Sequence, residues 1–403
     1  MRLKFGLSFL ILLGVSGMAY PVPITNPATS SSASLLSLSP NKLTELQSAL
    51  DEWRQSYGLP GASMSLIIPG LDNPVNLVSG VAKINQRNVT PDTLFQMDSI
   101  TKVYTAALIL KLEAERKLSI YQRLYLWLPE YPNWGNITIQ QLLNMTSGIP
   151  NFTDDDQFNQ AWRKDPTKTW TPVEELNFVK DKSLFYVPGT GWNYDDTNYL
   201  LLGLIIEKAT GKSYGEVLNH EILKPLALSH TYYVPYAYSP ALLQKLATGY
   251  SEDGKDVMNI NMSQAGPAGA IIATTEDTAL FFHDLFSGRV LPKQQLMEMK
   301  TPYSLTTGRS LLGRPLFPFH SASYSPHSSD ESSERAFGLG LNWWATPVGH
   351  MWFKPGGFEG FLSMASVLDK NQRVVIIAAN QFSQTAFMGL PREFVPKIYE
   401  IIG

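Results

Sequence analysis

Strand-like segments at both ends of the chain constrain the fold more than any other feature of this sequence. Two β-rich segments, GASMSLIIPG and PVNLVSGVAKI, precede residue 84, and three more begin at His350, Glu359 and Arg373. The region between them has the apolar spacing of helices. Because the end strands of such a chain come together, we predict an α+β fold, with one antiparallel sheet flanked by terminal helices and a mostly helical second lobe.

The same pattern predicts where these parts begin and end. Residues 39–403 would form one domain, with an α/β lobe over about 39–117 and 240–403 and a helical lobe over about 118–239. Residues 302–335 are rich in Ser and Pro without a regular period, which predicts a long surface loop. We expect a functional site in the cleft between the two lobes.

Two helix boundaries are predicted from glycine and proline. The segment ITIQQLLNMTSGIPNF reads as a helix that ends at Gly148 and Pro150, and the last helix of the chain is expected from about Pro391 to Ile402.

The first 19 residues have the pattern of a secretory signal peptide. Arg2 and Lys4 precede an apolar run, and small residues end at Ala19, where cleavage is expected. The run is too short to span a bilayer, so we expect no membrane span after its removal. Residues 20–38 read as a flexible segment. The sequence therefore predicts an exported protein, periplasmic or secreted.

Composition narrows the classes of function. The formal net charge is −3 and no basic cluster is present, so a nucleic-acid partner is not expected. The chain contains no cysteine, which excludes a lipoprotein anchor, disulfides and thiolate metal sites. We expect neither a metal nor a cofactor.

Two S-x-x-K patterns occur, and their surroundings differ. Ser39 and Lys42 flank a proline in a polar context, which is typical of a helix cap. Ser99 follows a strand-like segment and opens an apolar helix, and Lys102 lies one turn further on the same face. A serine beside an ammonium at the N-terminus of a helix suits a nucleophile, because the helix dipole favours an oxyanion.

Two further segments carry candidate residues. Tyr194 lies in a loop just before a predicted helix, in FYVPGTGWNYDDTNYLLLG. Lys354 is followed by Pro355, Gly356 and Gly357, and we expect it at a strand edge where a ligand or another chain approaches the backbone. Taken singly, each is as compatible with ordinary packing as with function.

Together the three segments resemble a known family. S-x-x-K, then Y-x-N, then K-T-G or H-x-G, in this order, is the signature of class C β-lactamases, serine DD-peptidases and related esterases. The spacing is similar as well, with about a hundred residues from Ser99 to Tyr194 and 160 more to Lys354. The resemblance extends over about residues 40–400.

The resemblance implies a role for each residue. Ser99 would attack a carbonyl and become an acyl-serine. Lys102 and Tyr194 would share the proton transfer, and the sequence leaves open which of them is the base. Lys354 and Gly356 would contribute to substrate binding and positive potential, and the backbone N–H groups of Ser99 and Gly357 would form the oxyanion hole.

Two positions depart from the family pattern. Asp196 stands where the family has Asn, and Pro355 replaces the Thr of the third motif. A proline has neither a hydroxyl nor an N–H to offer a substrate carboxylate. A carboxylate at Asp196 would also reduce the positive field of the site. Both departures disfavour anionic substrates.

The sequence thus predicts an exported serine hydrolase, D-alanyl-D-alanine carboxypeptidase-like on cell-wall peptides such as the peptidoglycan stem peptide. An esterase acting on neutral acyl groups and a β-lactamase are the enzymatic alternatives. A non-catalytic penicillin- or peptidoglycan-binding protein is the alternative outside enzymes, although four polar residues kept in one cleft argue against it.

We predict that Ser99, and not Ser39, is acylated. With p-nitrophenyl acetate as the probe, Ser99→Ala should abolish the burst of nitrophenolate, whereas Ser39→Ala should retain it, because Ser39 serves only as a helix cap. Stopped-flow absorbance measures the burst, and mass mapping locates the acetyl group. A full burst in Ser99→Ala would contradict the prediction.

Overall fold

A computed structural model describes residues 38–305, 320–321 and 335–403 of the 403-residue chain. The predicted signal peptide, almost all of the predicted flexible segment at 20–38, and most of the predicted loop at 302–335 lie outside the described residues. These interpretations stay predictions.

The described residues contain the following strands, numbered in chain order: β1 Gly61–Ile67, β2 Val75–Lys83, β3 Arg87–Asn88, β4 Phe95–Gln96, β5 Gly191–Trp192, β6 Thr231–Tyr233, β7 Ile271–Ala273, β8 Tyr303–Ser304, β9 His320–Ser321, β10 Arg335–Phe337, β11 Asn342–Thr346, β12 Gly349–Phe358, β13 Phe361–Leu368 and β14 Arg373–Ala379.

The α-helices of the same residues are α1 Pro40–Ser56, α2 Thr101–Ala114, α3 Ile139–Leu143, α4 Asp156–Lys164, α5 Pro172–Leu176, α6 Thr197–Thr210, α7 Tyr214–Leu218, α8 Pro240–Leu243, α9 Gly266–Gly269, α10 Thr275–Phe286, α11 Lys293–Met299, α12 Gln384–Gly389 and α13 Val395–Ile402. A 3₁₀ turn at Asp98–Ile100 precedes α2, and a π-helical turn at Leu390–Phe394 joins α12 to α13.

One nine-stranded sheet unites the two ends of the chain. Its strand order is β3-β2-β1-β14-β13-β12-β11-β10-β8, and neighbouring strands run antiparallel. The first long strand pairs directly with the last, with Ala62 opposite Ala379 and Ile67 opposite Val374. The predicted α+β class with an antiparallel sheet and terminal helices is confirmed.

The sheet separates two hydrophobic cores. Successive side chains of a strand point to opposite faces, and in β14 Val375 and Ile377 join the core beneath α1 and α13 while Val374 and Ile376 join the core on the other face. Helix α10 packs on β1, β13 and β14. Because hydrophobic cores cover both faces of the sheet, its central strands carry apolar residues at nearly every position.

Helix α2 carries the candidate nucleophile into the larger core. Its residues from Thr101 to Leu110 are all buried, and it packs against α6, α9 and α11. A helix that is apolar on every side needs such a fully enclosed position. The turn at its N-terminus is consequently held in place by the surrounding structure.

One predicted helix cap agrees with the structure, and two predicted helix boundaries are wrong. Ser39 caps α1, since its Oγ accepts a hydrogen bond from the N–H of Lys42 at 3.4 Å, and this agrees with the structural interpretation of that S-x-x-K pattern. The helix expected to run to Gly148 is only α3, because Met145 has a φ of 66° that ends helical geometry. The C-terminal helical segment starts earlier than predicted, at Gln384, capped by Ser383.

Candidate active site

The candidate nucleophile lies in a strained turn. Asp98, one residue before Ser99, has a φ of 47°, a left-handed conformation that costs a non-glycine residue about 1–2 kcal/mol. Backbone bonds hold the turn from both sides: Met97 N–H donates to Ile271 O at 2.9 Å, and Ile100 N–H donates to Met97 O at 3.1 Å. The Ser99 side chain is thereby presented at the start of α2, partly exposed.

Gly356 packs closely against this turn. A Cβ on this residue would lie 2.2 Å from Met97 O and 2.5 Å from the Oγ of Ser363, which itself donates a hydrogen bond to Met97 O. Such distances leave no room for any side chain. The glycine expected to mark a close approach therefore faces another part of the chain, and it does not line the cavity described below.

Lys102 is buried with all three of its ammonium hydrogens engaged. Its Nζ donates to Ser99 Oγ at 3.1 Å, to Asp196 Oδ1 at 2.5 Å and to Ala268 O at 2.9 Å. An ammonium has three donors and no acceptor. The three acceptors thus match the charged form of this side chain.

The Tyr194 hydroxyl is hydrogen-bonded to both Ser99 and Lys354. It donates to Ser99 Oγ at 2.8 Å and accepts a hydrogen bond from Lys354 Nζ at 3.1 Å. The loop that carries Tyr194 between β5 and α6 is fixed at both ends: Asn193 N–H donates to Met145 O, and Thr197 N–H donates to Asp195 Oδ1.

Lys354 lies where β12 extends beyond its neighbour. Strand β11 begins at Asn342, opposite Phe353, whereas β12 continues to Phe358 in register with β13. Lys354 is 1% exposed, and its Nζ lies 4.2 Å from the centre of the Tyr194 ring. The third motif thus presents its lysine beside Tyr194.

Asp196 faces the site, and its hydrogen bonds reach both α2 and the segment before α4. Its second carboxylate oxygen accepts a hydrogen bond from Thr153 Oγ1 at 3.3 Å, and its backbone N–H donates to Asn151 Oδ1. Its side chain is 22% exposed, against 0% for the partner Lys102. The departure from the family Asn therefore places a carboxylate directly on the buried ammonium.

The surroundings shift the pKa values of the two lysines in opposite directions. Burial alone would lower the pKa of Lys102, but the Asp196 carboxylate, with help from Tyr194, raises this pKa above its ordinary value. Burial and the nearby Lys102 ammonium hold the pKa of Lys354 well below its usual range. Burial raises the pKa of Tyr194, an effect that Lys102 opposes and Asp196 reinforces.

A cavity of about 220 Å³ opens beside Ser99. Apart from the polar residues already described, its walls are mostly aromatic and apolar. The lining residues are Ser99, Trp192, Tyr194, Asn342, Trp344, Phe353, Lys354, Pro355, Gly357, Phe387, Met388, Pro391 and Arg392. A larger cleft of about 940 Å³, around Tyr214 and Tyr233, contains none of the residues singled out from the sequence.

The structure brings Ser99, Lys102, Tyr194, Asp196 and Lys354 together, and Gly357 lines the same cavity. The arrangement can withdraw a proton from a serine hydroxyl and surround the product with positive charge.

Sequence reasoning missed the C-terminal wall of this cavity. Phe387 and Met388 come from α12, and Arg392 comes from the π-helical turn that follows it. The Nη2 atom of Arg392 is buried without a hydrogen-bond partner among the described residues. No short motif marks these residues, because a helix pattern does not show which of its side chains reach a distant nucleophile.

Within residues 38–305, 320–321 and 335–403, no three histidine, aspartate or glutamate side chains converge as ligands for a metal ion. No helix in this part of the chain is both long and apolar enough to cross a membrane.

Comparison with known proteins agrees with the three motifs. The Beta-lactamase family model matches residues 46–395. The chain belongs to the β-lactamase family. Members of this family that share its fold are serine hydrolases.

Individual relatives show how far the similarity extends. Penicillin-binding protein 4* of Bacillus subtilis (strain 168) is 29% identical over 214 residues, which are 53% of this chain and 46% of that protein. The chain thus matches about half the length of this curated relative.

Two solved structures show the same fold along most of their length. A D-stereospecific amidohydrolase from Streptomyces sp. is 28% identical with a TM-score of 0.68, over 86% of this chain and 96% of the other. A D-amino acid amidase from Ochrobactrum anthropi SV3 is 24% identical with a TM-score of 0.75, over 90% of this chain and 98% of the other.

We predict that Asp196→Asn lowers the free energy of unfolding at pH 7 by about 1–3 kcal/mol, because a buried ammonium loses its charged partner. The raised pKa of Lys102 places this stabilisation below the ordinary lysine pKa, so the loss is complete at neutral pH and fades at strongly basic pH. Urea unfolding at both pH values measures it. Asp156→Asn, on the exposed start of α4, is the control, and an equal effect there would contradict the prediction.

Proposed function

We propose that Ser99 is the nucleophile and that the chain hydrolyses amide or ester bonds through an acyl-serine. The observation that carries this proposal is that Ser99 Oγ accepts hydrogen bonds from Tyr194 and Lys102 at once, beside an open cavity. A serine hydroxyl needs a neighbouring base to react, and a buried site strengthens every charge that stabilises the transition state.

The proposed reaction has two halves. Tyr194 acts as a phenolate and takes the Ser99 proton as Ser99 Oγ attacks the substrate carbonyl carbon, and the backbone N–H groups of Ser99 and Gly357 stabilise the oxyanion. The bond to the leaving group then breaks, and Tyr194 returns a proton to the departing nitrogen or oxygen. Water repeats these steps on the acyl-serine and releases the acid.

Lys102 remains an ammonium throughout this sequence. Its three acceptors and the adjacent Asp196 carboxylate favour the charged form, which makes it a poor base. Its task is to stabilise negative charge on Ser99 and Tyr194. The proton transfer therefore falls to Tyr194.

The proposed substrate is a peptide with a free carboxylate at its C-terminus, as for a D-alanyl-D-alanine carboxypeptidase-like enzyme. Pro355 offers no hydroxyl to such a carboxylate, but Arg392 lines the same cavity, and its buried Nη2 has no hydrogen-bond partner among the described residues. A guanidinium binds carboxylates with paired, charge-assisted hydrogen bonds. Arg392 would thus bind the substrate carboxylate in place of the hydroxyl that Pro355 lacks. Its positive charge would also oppose the negative charge of Asp196.

A D-amino acid amidase is the second candidate, favoured by a separate observation. Asp196, which is bonded to Lys102, has a second carboxylate close by, that of Asp154. Carboxylates in that position would attract an acyl group with a free ammonium. The names of the two structural relatives, an amidohydrolase and an amidase, agree with this candidate.

Export and action on cell-wall peptides are part of the proposal. They are supported by the signal-like pattern of residues 1–19 and by the similarity to a penicillin-binding protein.

Lys102 and Tyr194 should behave as one unit in catalysis. We expect Lys102→Ala and Tyr194→Phe each to lower kcat on the order of 10²-fold or more, the scale of a lost acid–base group. The double variant should be little slower than either single variant, because Lys102 stabilises the negative charge that the proton transfer through Tyr194 creates. Steady-state kinetics on an activated ester measures this, and costs that multiply would refute the shared role.

Arg392 distinguishes the candidate substrates. We expect Arg392→Gln to lower kcat/KM for an N-acyl-D-Ala-D-Ala peptide by about 10- to 100-fold, the value of a charged hydrogen bond. The same peptide capped as a C-terminal amide should change little, since it has no carboxylate to lose. Equal losses on both peptides would exclude the carboxylate role, and faster turnover of D-phenylalanine amide than of either peptide would favour the amidase.

A further inference from the structure

The two lysines of the site differ in what surrounds their ammonium groups. Lys102 has three acceptors, whereas Lys354 Nζ makes one hydrogen bond among the described residues, to Tyr194 OH at 3.1 Å. Its other close neighbour is the face of the Tyr194 ring. An ammonium at this buried position would keep two N–H donors without an acceptor in the described part of the chain, which is costly away from bulk water.

The charges that face Lys354 also favour its neutral form. Lys102 approaches from α2, the loop before α6 contributes Tyr194 and the Asp196 carboxylate, and Arg392 lines the same cavity. The facing residues of β10 and β13 are uncharged. The Lys102 ammonium thus stands against one carboxylate, and that carboxylate is bonded to Lys102 itself. Burial and the Lys102 ammonium accordingly hold the pKa of Lys354 well below the usual lysine range.

Tyr194 cannot accept the Ser99 proton while it keeps its own. In the structure its hydroxyl donates to Ser99 Oγ, so the phenol proton lies between the two oxygens. Burial favours this neutral phenol. A second acceptor is needed on the far side of Tyr194, and Lys354 Nζ is the group in hydrogen-bond contact there.

We propose that Lys354 acts as a neutral amine in the resting enzyme and is the terminal acceptor of the Ser99 proton, reached through the Tyr194 hydroxyl. This inference rests on the proposed function, and it assigns Lys354 a task other than supplying fixed positive charge.

The proton movements balance within the site. The Tyr194 hydroxyl first turns its proton from Ser99 Oγ toward the lone pair of Lys354 Nζ and transfers it there, which leaves a phenolate and an ammonium. The phenolate then takes the Ser99 proton as Ser99 Oγ forms its bond to the carbonyl carbon. When the leaving group departs, Tyr194 protonates it and regains a proton from Lys354, which returns to the neutral amine.

The test uses p-nitrophenyl acetate, because this neutral ester has no carboxylate for Lys354 to bind and its nitrophenolate leaves without a proton. Lys354→Arg keeps the positive charge but cannot release a proton. We expect it to slow the acylation burst by about 100-fold or more. Lys354→His restores a group that can accept a proton, and we expect a burst within about 10-fold of the unmodified chain at pH 8, where histidine is neutral.

The pH profile separates proton transfer from a purely structural role. The burst rate of the unmodified chain should rise with pH as Lys354 loses its proton, and in Lys354→His this rise should move toward the ordinary histidine pKa of about 6.5. Lys111→Arg, the same exchange on the outer part of α2, should leave both rate and profile unchanged. Circular dichroism melting curves confirm that each variant is folded.

Each result has one meaning. If the unmodified chain forms no acetyl-Ser99, the proposed function fails. If it does, a fast burst in Lys354→Arg shows that fixed charge is sufficient and overturns the inference. A folded Lys354→His variant that stays slow at pH 8, or keeps the original pH profile, also overturns it. Should Lys354→Arg not fold, ¹⁵N-lysine spectra decide the question, because the inference requires one Nζ, absent from Lys354→His, to be neutral at pH 8.

Discussion

The arrangement of the site depends on one buried ammonium. Lys102 lies on a helix that is enclosed on every side, and a charge in such a place persists only with acceptors around it. Those acceptors come from separate parts of the chain: Ser99 from the turn before α2, Asp196 from the loop before α6, and Ala268 from α9. Satisfying the lysine therefore brings the nucleophile and the Tyr194 loop to one point.

The second lysine shows the opposite solution to the same problem. Lys354 is as buried as Lys102 but has one hydrogen-bond acceptor among the described residues, and the nearest carboxylate is already bonded elsewhere. Two side chains of one type thus acquire different properties from their neighbours alone. Tyr194 lies between Lys102, which keeps its positive charge, and Lys354, which can exchange a proton.

Much of this was accessible from the sequence because it is local. Apolar strands at both chain ends predicted the sheet, and the surroundings of Ser99 and Ser39 distinguished a candidate nucleophile from a helix cap, as the cap bond of Ser39 shows. Three spaced motifs predicted that Ser99, Tyr194 and Lys354 would meet. Features that depend on tertiary contact were not accessible: the contact of Gly356 with Met97 O, the end of α3 before Met145, and the reach of Phe387 and Arg392 into the cavity.

The cavity wall formed by α12 and the following turn comes from a different part of the chain than the reactive groups. The proton-handling residues Ser99, Lys102, Tyr194 and Lys354 all precede β14, the strand that closes the sheet. The wall residues follow it in a short segment, 384–394, that carries none of the proton-handling groups. A change within this segment would therefore alter one wall of the cavity and leave the proton-handling groups in place.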